Sequence, residues 1–518
     1  MMNNTQSTNV TTPRPARKGK GGGSVSRLFK DTAIYGLSSI IGRFLNYLLV
    51  PLYTHYMPTE SGDYGISTNV YAYTALILVL LTFGMETTLF RFANDSPSPQ
   101  PCKAGSNQGT NVSAPSLQGR VGGGSWPDTV FSTGFALIAT LTALFLIGIF
   151  GFITPIADTL GYAEHPDYLL MMAVVVAMDA LQALPFSYLR FQKRPIRFAT
   201  LKLLFIFFNI ALNVLFFVIL HKTSVFYVFA LNLACTSLIT LLFIPEMFKI
   251  QWQFDWALLR RMLSYSWPIL ILGVAGILNQ VADKIMFPLV YPDKAEANVQ
   301  LGIYGGCVKI AMIMAMITQA FRYAYEPIVF AKAKDKDSTE YYAVAMKYFL
   351  IFTLLAFLCV MGYIDVLQLI LGKGYREGMQ VVPIVMVAEI MMGVYFNLSF
   401  WYKLIDKTIY GAWFSLAGCA VLFAVNYFFI PQYSYMACAW GGVAGYGTAM
   451  VLSYIVGQVK NPIPYPMKSI AVYVLLTALF YAAMHLTSEW HLALRLLINT
   501  LLILAFCGHV YWHEIRKK

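Results

Sequence analysis

The sequence predicts an all-α polytopic membrane protein with about fourteen transmembrane helices, built as two pseudo-symmetric six-helix lobes followed by two C-terminal helices. Hydrophobic residues make up 58% of the 518 residues and charged residues only 12%, about half the charged fraction of a soluble domain. Mean hydropathy is +0.61. These values exclude a soluble core and a disordered chain, and they leave a membrane protein.

Fourteen apolar segments are each long enough to cross a bilayer as a helix, which takes about 20 residues. The polar, basic residues before them, 1–26, contain no apolar run closed by a cleavage site, so we expect a disordered tail and an uncleaved first span. Residues 93–128 are rich in Ser, Gly, Pro and Asn and predict a flexible loop. The predicted spans are 30–53, 64–91, 129–153, 168–190, 198–220, 224–246, 264–290, 301–328, 342–364, 379–402, 408–430, 435–457, 468–487 and 491–512.

Spans 1 and 2 share a pattern with spans 7 and 8. Gly36, Asn46 and Pro51 align with Gly273, Asp283 and Pro288 at one offset, and Tyr64-Gly65, Glu86 and Phe90 align with Tyr304-Gly305, Glu326 and Phe330 at nearly the same offset. Chance similarity among common membrane residues is the alternative. A true repeat that begins on two odd-numbered spans is parallel. It predicts an N-lobe at 27–250 (helices 1–6), a C-lobe at 251–460 (helices 7–12), and helices 13–14 with a C-terminal tail at 461–518.

The distribution of Lys and Arg predicts the orientation. With the N-terminus inside, the inner segments carry 27 of these residues and the outer loops only four. Because basic residues stay on the cytoplasmic side, both termini are expected in the cytoplasm. The net charge of +12 is therefore explained without nucleic acid. Seven cysteines without a C-x-x-C spacing suggest neither a disulfide framework nor a metal site.

The outer loops argue against an enzyme. The longest, at 154–167 and 365–378, have about fourteen residues. Membrane glycan ligases and polymerases would be expected to carry catalytic residues on a substantial outer loop, so no catalytic residue is predicted.

Three cations lie deep in predicted spans, where a charge is costly and marks a candidate functional site. They are Arg43, Lys284 and Lys309, from spans 1, 7 and 8. Convergence of these side chains at the lobe interface would stabilise an anionic phosphate or pyrophosphate headgroup. The alternative is that each pairs with an acid from a neighbouring helix. Asp283 and Lys284 are adjacent, so we expect their side chains to point to different faces without simply neutralising each other.

Two further acids, Asp179 and Glu389, lie mid-span without a nearby cation in sequence. Together with Asp283 they are candidates for binding a coupling proton or sodium ion, which is the only cofactor predicted. A protonated or hydrogen-bonded structural acid is at least as good an explanation for each.

Other charges lie nearer the ends of spans. Arg322 and Glu326 are four residues apart and could pair on one helix face. Glu86, the repeat partner of Glu326, lies at the same depth, so Glu86 and Glu326 are candidates for a gate at the cytoplasmic mouth. Lys347 and Arg495 are assigned to snorkelling, in which a long side chain reaches the membrane interface.

Four stretches resemble the polysaccharide transporters of the multidrug/oligosaccharidyl-lipid/polysaccharide exporter superfamily. They are GLSSIIGRFLNYLLVPLYTHYMPTESGDYG near the N-terminus, YSWPILILGVAGILNQVADKIMF, LGIYGGCVKIAMIM, and VNYFFIPQYSYMACAWG near span 12. The order of these motifs and the number of spans support the resemblance over nearly the whole chain. At Lys284 the family commonly has Arg, and Lys lacks the bidentate fork of Arg.

The resemblance implies a multi-pass flippase of the bacterial inner membrane that works by alternating access. Its expected substrate is an undecaprenyl-pyrophosphate-linked oligosaccharide, a repeat unit of O-antigen, lipopolysaccharide, capsule or exopolysaccharide. The family's cationic cavity would map onto Arg43, Lys284 and Lys309, with Arg322 as a further candidate. Helices 13 and 14 would flank a groove for the lipid tail. The implied partners are the lipid-linked glycan, membrane lipids and glycan polymerase or assembly proteins.

Three alternatives remain open. A multidrug or organic-cation antiporter of the same superfamily would be expected to have twelve spans and an acidic cavity. A membrane glycosyltransferase or ligase conflicts with the short outer loops. A non-transporting assembly partner would leave the deep charges without a purpose.

Overall fold

The computed structural model describes residues 47, 49–94, 125–332, 338–405 and 407–516. Within these ranges the regular secondary structure is entirely helical. The helices are α1 Leu49–Tyr56, α2 Asp63–Thr82, α3 Met85–Asn94, α4 Trp126–Gly151, α5 Ile153–Leu160, α6 Pro166–Phe191, α7 Pro195–Val214, α8 Val225–Met247, α9 Trp256–Val290, α10 Lys294–Lys332, α11 Ser338–Gly362, α12 Ile364–Leu367, α13 Val381–Leu398, α14 Phe400–Leu404, α15 Ile409–Tyr433, α16 Tyr435–Lys460, α17 Met467–Leu486 and α18 Leu492–Val510.

Thirteen helical stretches among the described residues are long and apolar enough to cross a membrane. They coincide with the second to fourteenth predicted spans, which confirms the prediction of an all-α polytopic membrane protein. Most of the first predicted span, the 1–26 tail and most of the 93–128 loop lie outside the described residues.

Local sequence sets several helix ends. Asp255 is the N-cap residue of α9. Its carboxylate accepts hydrogen bonds from the backbone N–H groups of Ala257 and Leu258 and so caps two otherwise unpaired donors. The second predicted span is not one continuous helix. It breaks between α2 and α3 at Phe83 and Gly84, which both have positive φ.

The packing joins the N-terminal half of the chain, α1–α8, to the C-terminal half, α9–α16. α2 crosses both α9 and α10. The first turns of α9 pack inside the N-terminal half, because Leu258 and Met262 are buried in one cluster with Met85, Val130 and Leu184. Further along, α9 packs against α15 and α16. The predicted domain boundaries remain a prediction.

Successive spans run in alternate directions, so the connections lie on two faces of the bundle. We call the face with connections 190–197, 248–255, 403–408 and 461–466 the basic face, because it carries most of the Lys and Arg. The connections at 57–62, 161–165, 220–224, 291–293 and 363–380 form the opposite face.

The last two spans, α17 and α18, both pack on α11. The Lys347 ammonium lies 2.7 Å from the Glu514 carboxylate at the basic face, and Arg495 lies 2.8 Å from Asp365 at the opposite face. The prediction that Lys347 and Arg495 merely snorkel is therefore wrong. Snorkelling was predicted only from how close each residue lies to the end of its span. The acids that pair with these cations are distant in sequence, but the packing of the helices brings them to the same depth.

Candidate functional site

The two halves meet most closely at the opposite face, where α2 crosses α10. Gly65 lies directly on the backbone of Asn298, and a Cβ at position 65 would overlap the Asn298 carbonyl oxygen. One turn further along α2, the buried Asn69 donates a hydrogen bond to the Lys284 carbonyl oxygen at 2.7 Å. The Tyr162 hydroxyl donates to Asn69 Oδ1, also at 2.7 Å. Predicted spans 2 and 8 are thus in backbone contact.

A second set of contacts completes this interface. The Gly372 N–H donates to Thr54 Oγ1 at 3.2 Å, and a Cβ at position 372 would overlap the Thr54 carbonyl oxygen. The Tyr375 hydroxyl donates to the Met57 carbonyl oxygen at 3.3 Å, and its ring meets the Tyr64 ring edge-on at 5.6 Å. We call these two sets of contacts the opposite-face seam. They close the opposite side of the bundle between its halves.

An acid–lysine cluster lies behind the seam, on α9 and α10 of the C-terminal half. Lys284 Nζ lies 2.9 and 2.8 Å from the two carboxylate oxygens of Asp283, and it also donates to the Gln280 carbonyl oxygen at 3.1 Å. The buried Tyr304 hydroxyl donates to Asp283 Oδ2 at 2.7 Å.

The expectation that Asp283 and Lys284 cannot simply neutralise each other is therefore wrong. Their Cβ atoms do leave the helix in different directions. The long lysine chain nevertheless curls back along the helix, because its flexible methylenes let the ammonium reach both the neighbouring carboxylate and a carbonyl one turn earlier.

Glu389 on α13 faces the same cluster and interacts electrostatically with both Lys284 and Asp283. Asp283, Tyr304 and Glu389 share a cavity of about 40 Å³, enough space for one or more water molecules. Asn279 also lines it, and its Oδ1 has no hydrogen-bond partner among the described residues. The described part of the chain contains no group of three or more His, Cys, Asp or Glu placed to hold a metal ion.

Lys309 lies one to two turns beyond Tyr304 on α10. It is half-buried and, counted from Glu296, about 20 Å along the helix at 1.5 Å per residue. Its charge interacts unfavourably with that of Lys284. No carboxylate among the described residues forms an ion pair with it. Lys284 and Lys309 therefore make a pair of cations in the middle of the C-terminal half, and only Lys284 is neutralised.

The N-terminal half holds a separate polar cluster. Asp179 on α6 interacts electrostatically with Lys202 on α7, and the Lys202 ammonium lies 4.0 Å above the Phe186 ring. The Tyr71 hydroxyl accepts a hydrogen bond from Asn232 at 2.9 Å. It also interacts electrostatically with Asp179. Lys202 is not among the predicted site residues, since it lies only four residues into its predicted span.

Two of the predicted charges nearer the basic face, Glu86 and Arg322, have contacts within their own halves, whereas Arg91 of α3 lies 4.7 Å over the Tyr265 ring of α9. Glu86 Oε2 accepts hydrogen bonds from Ser187 at 3.1 Å and from Arg190 at 3.2 Å, and all three residues belong to the N-terminal half. The Arg322 guanidinium lies 4.7 Å over the Phe396 ring within the C-terminal half. Arg43 lies outside the described residues, as does the side chain of Glu326. The gate assigned to Glu86 and Glu326 stays a prediction.

Of the predicted site residues, the structure brings together Asp283, Lys284, Lys309 and Glu389. Asp179 lies in the other half, and Arg322 and Glu86 lie nearer the basic face. Sequence reasoning missed Tyr304 and Asn69 as site residues. Tyr304 did leave a signal, because it belongs to the repeated Tyr-Gly pair, whereas nothing in the sequence singled out Asn69.

An apolar groove of about 350 Å³ lies on the far side of α13 and α16. α13 presents Ala388 and Glu389 to the polar cavity and Ile384 and Val387 to the groove, so it forms a wall between the two. α11 and α17 close the other sides, with further lining from Leu354, Phe357, Trp440, Val443, Val474 and Tyr481.

Comparison with known proteins identifies relatives at the level of family and fold. Residues 124–380, just under half of the chain, match the model of a family described as polysaccharide biosynthesis protein. No curated protein matches the chain by sequence.

Solved structures similar to this chain include transport proteins. The lipid II flippase MurJ in an inward closed conformation has a TM-score of 0.69 and 14% identity, over 92% of this chain and 98% of MurJ. A multidrug resistance MATE family transporter of the MOP superfamily, in an inward-facing conformation, has a TM-score of 0.59 and 13% identity, over 87% and 99%. The MATE multidrug transporter DinF-BH gives 0.56 and 15%, over 84% and 96%.

At such low identity these likenesses establish the fold. The family match adds the link to polysaccharide biosynthesis within the sequence. Together they confirm the resemblance of this chain to the polysaccharide transporters of the multidrug/oligosaccharidyl-lipid/polysaccharide exporter superfamily.

Proposed function

We propose that the protein is a flippase that moves a prenyl-pyrophosphate-linked oligosaccharide across the bacterial inner membrane, with its basic face in the cytoplasm. The observation that carries this proposal is the cation pair Lys284–Lys309 in the middle of the bundle. Lys309 is half-buried and has no ion-pair partner among the described residues, and a charge at that depth in a membrane is costly. A pyrophosphate would supply the missing negative charge.

The groove beside α17 supports the same proposal. Its wall is shared with the polar cavity, so a headgroup at the cations and a prenyl chain in the groove would be separated only by α13 and α16. The sequence resemblance had implied that helices 13 and 14 flank a lipid-tail groove, and the groove lined by α17 residues fits that role.

We further propose that transport alternates the access of the two faces. The opposite-face seam would open after the glycan has entered from the cytoplasmic side. Outward movement of a negatively charged headgroup would be favoured by an inside-negative potential, by about 2.3 kcal/mol per charge per 100 mV. A proton or sodium ion exchanged at Asp283, Glu389 or Asp179 would be the coupling ion. Glycan polymerases or assembly proteins would receive the product.

The experiment uses proteoliposomes that contain a fluorescent undecaprenyl-pyrophosphate oligosaccharide. Its exchange between leaflets is followed for the wild type, Lys309→Met, Lys309→Arg and Arg43→Ala under an imposed potential. We expect Lys309→Met to lose most of the exchange and Lys309→Arg, which keeps the charge, to retain it. Lys222→Met, at an exposed position in an opposite-face connection, is the matched control and should exchange normally.

Normal exchange by folded Lys309→Met would remove Lys309 from the site while leaving the flippase in place. Normal exchange by Arg43→Ala would likewise assign Arg43 a structural role. Failure of the wild-type protein to exchange any lipid-linked glycan would contradict the flippase itself.

The second candidate is an organic-cation antiporter. The observation that favours it is the pair of carboxylates, Asp283 and Glu389, around one cavity, because such acids suit a cationic substrate. Uptake of an organic cation driven by a proton or sodium gradient, lost in Glu389→Gln, would support the antiporter in place of the flippase.

A further inference from the structure

A second cavity lies away from the site described above, at the basic face of the N-terminal half. This hollow of about 290 Å³ lies between the start of α4 and the ends of α6 and α8. Its interior is apolar, with Phe131, Pro185, Leu189, Phe243 and Met247 among the lining residues. Polar residues of its lining include Ser125, Gln192, Arg194 and Lys249, all of which are exposed.

The acids of the hollow already have partners. Glu246 is held by Arg197, with Nε at 2.9 Å from one carboxylate oxygen and Nη2 at 3.3 Å from the other. The Asp128 carboxylate accepts a hydrogen bond from the Tyr188 hydroxyl. Neither Arg194 nor Lys249 forms an ion pair with any described residue. The Tyr188 hydroxyl does not neutralise Asp128, so Arg194, Lys249 and Arg197 together exceed the two acids by one positive charge. The hollow therefore combines an apolar interior with a net positive charge and with two exposed cations, Arg194 and Lys249, that form no ion pair in the described part of the chain.

Aromatic side chains place the hollow at the depth of lipid headgroups. Trp252 and Trp256, in and just after the connection between α8 and α9, are 49% and 75% exposed. Phe248 is exposed next to Lys249. Exposed tryptophans at helix ends mark the boundary between membrane and water. The charged residues of the hollow are thus level with lipid phosphates.

We propose that this hollow binds an anionic phospholipid of the adjoining leaflet. The phosphate is held between Arg194 and Lys249, and the upper part of one acyl chain fills the apolar interior. Basic pockets between transmembrane helices at this level are suited to anionic headgroups. An uncharged or zwitterionic lipid would bring no net negative charge to Arg194 and Lys249. This site does not depend on the flippase proposal.

The test measures binding of phosphatidylglycerol and phosphatidylcholine to the purified full chain by native mass spectrometry, over a titration of each lipid. The test variant is Arg194→Gln/Lys249→Gln. The matched control is Lys222→Gln/Lys373→Gln, which removes two exposed lysines from the opposite face. A second test variant, Ser125→Trp, adds bulk at the hollow and changes no charge. Size-exclusion elution and thermal unfolding confirm that each variant is folded.

The wild type should prefer phosphatidylglycerol, and the double variant should bind it about tenfold to thirtyfold more weakly, as expected for the loss of two basic residues near a lipid surface. Ser125→Trp should also weaken binding, and the control should not. The proposal is overturned if the wild type shows no preference, if the preference survives in the double variant, or if the control loses as much. It is also overturned if free glycerol 3-phosphate binds as tightly as the lipid, because the apolar interior would then contribute nothing.

Discussion

The two faces of the bundle hold the halves of the chain in different ways. At the opposite face, backbone meets backbone: Gly65 lies on Asn298, and Gly372 lies on Thr54. At the basic face, the contacts are made by side chains: Glu86 pairs with Arg190 inside the N-terminal half, Arg322 lies over Phe396 inside the C-terminal half, and Arg91 of α3 lies over the Tyr265 ring of α9. The difference indicates a structure that backbone contact between the halves closes at the opposite face.

The same contrast indicates which contacts a conformational change would have to break. Opening the opposite-face seam must separate close backbone contacts and break hydrogen bonds that are shielded from water. Moving the basic-face ends of the halves relative to each other would leave the described ion pairs at that face intact. Four changes test this asymmetry, in order of decreasing effect.

Gly65→Leu should have the largest effect. Its side chain would collide with the Asn298 backbone, which cannot move as a side-chain tip can, so α2 and α10 must separate. Spin labels on Glu60→Cys and Lys373→Cys, in a chain whose native cysteines are replaced, report the distance across the seam. We expect the short distance of the parent to be lost. Gly148→Leu, where a Cβ meets no atom within 4 Å, should keep it, and a short distance in both variants would contradict the seam.

Glu514→Gln should have the next largest effect, on stability and not on the seam. The substitution removes the carboxylate that neutralises the Lys347 ammonium, and both side chains of this ion pair are largely buried. Removing one partner of a buried ion pair costs about 3–5 kcal/mol. Thermal unfolding in detergent should show the loss, and Lys347→Met/Glu514→Leu should recover much of it. Unchanged stability in Glu514→Gln would mean that the pair does not hold α18 to α11.

Asn69→Leu should have a moderate effect on the seam. It removes the hydrogen bond to the Lys284 carbonyl oxygen and leaves the Tyr162 hydroxyl without its acceptor, at a cost of about 1–2 kcal/mol. Tyr162→Phe should lower the free energy of unfolding less in the Asn69→Leu variant than in the wild type, because the Tyr162 hydroxyl has already lost its partner. A double-mutant cycle in chemical unfolding measures this coupling, and additive effects would argue against the contact.

Glu86→Gln should have the smallest effect. Its ion pair with Arg190 is partly exposed, with side chains 45% and 37% accessible, and such pairs contribute less than about 1 kcal/mol. Unfolding should be nearly unchanged, and the label distance across the seam should match the parent. A large change in that distance would show that Glu86 does control the state of the bundle.

The site was predictable in part. The depth of Lys284, Lys309, Asp283 and Glu389 in their spans follows from hydropathy alone, and the structure places these four together. Hydropathy did not predict which residues these four side chains contact. The curl of Lys284 onto Asp283 depends on side-chain torsions, and the role of Asn69 depends on which residue of another span faces it. Arg43, the first cation that the sequence singled out, lies outside the described residues.

By itself, the sequence determined that this chain crosses the membrane, where thirteen of its spans lie, and which family it resembles, because hydropathy and motifs are properties of contiguous residues. The tertiary structure decided which charges meet. Lys347 and Glu514 are 167 residues apart, and no local pattern links them. It also decided that Gly65 and Gly372 are points of backbone contact between the two halves. Only the packed helices bring such distant residues to one depth and one face.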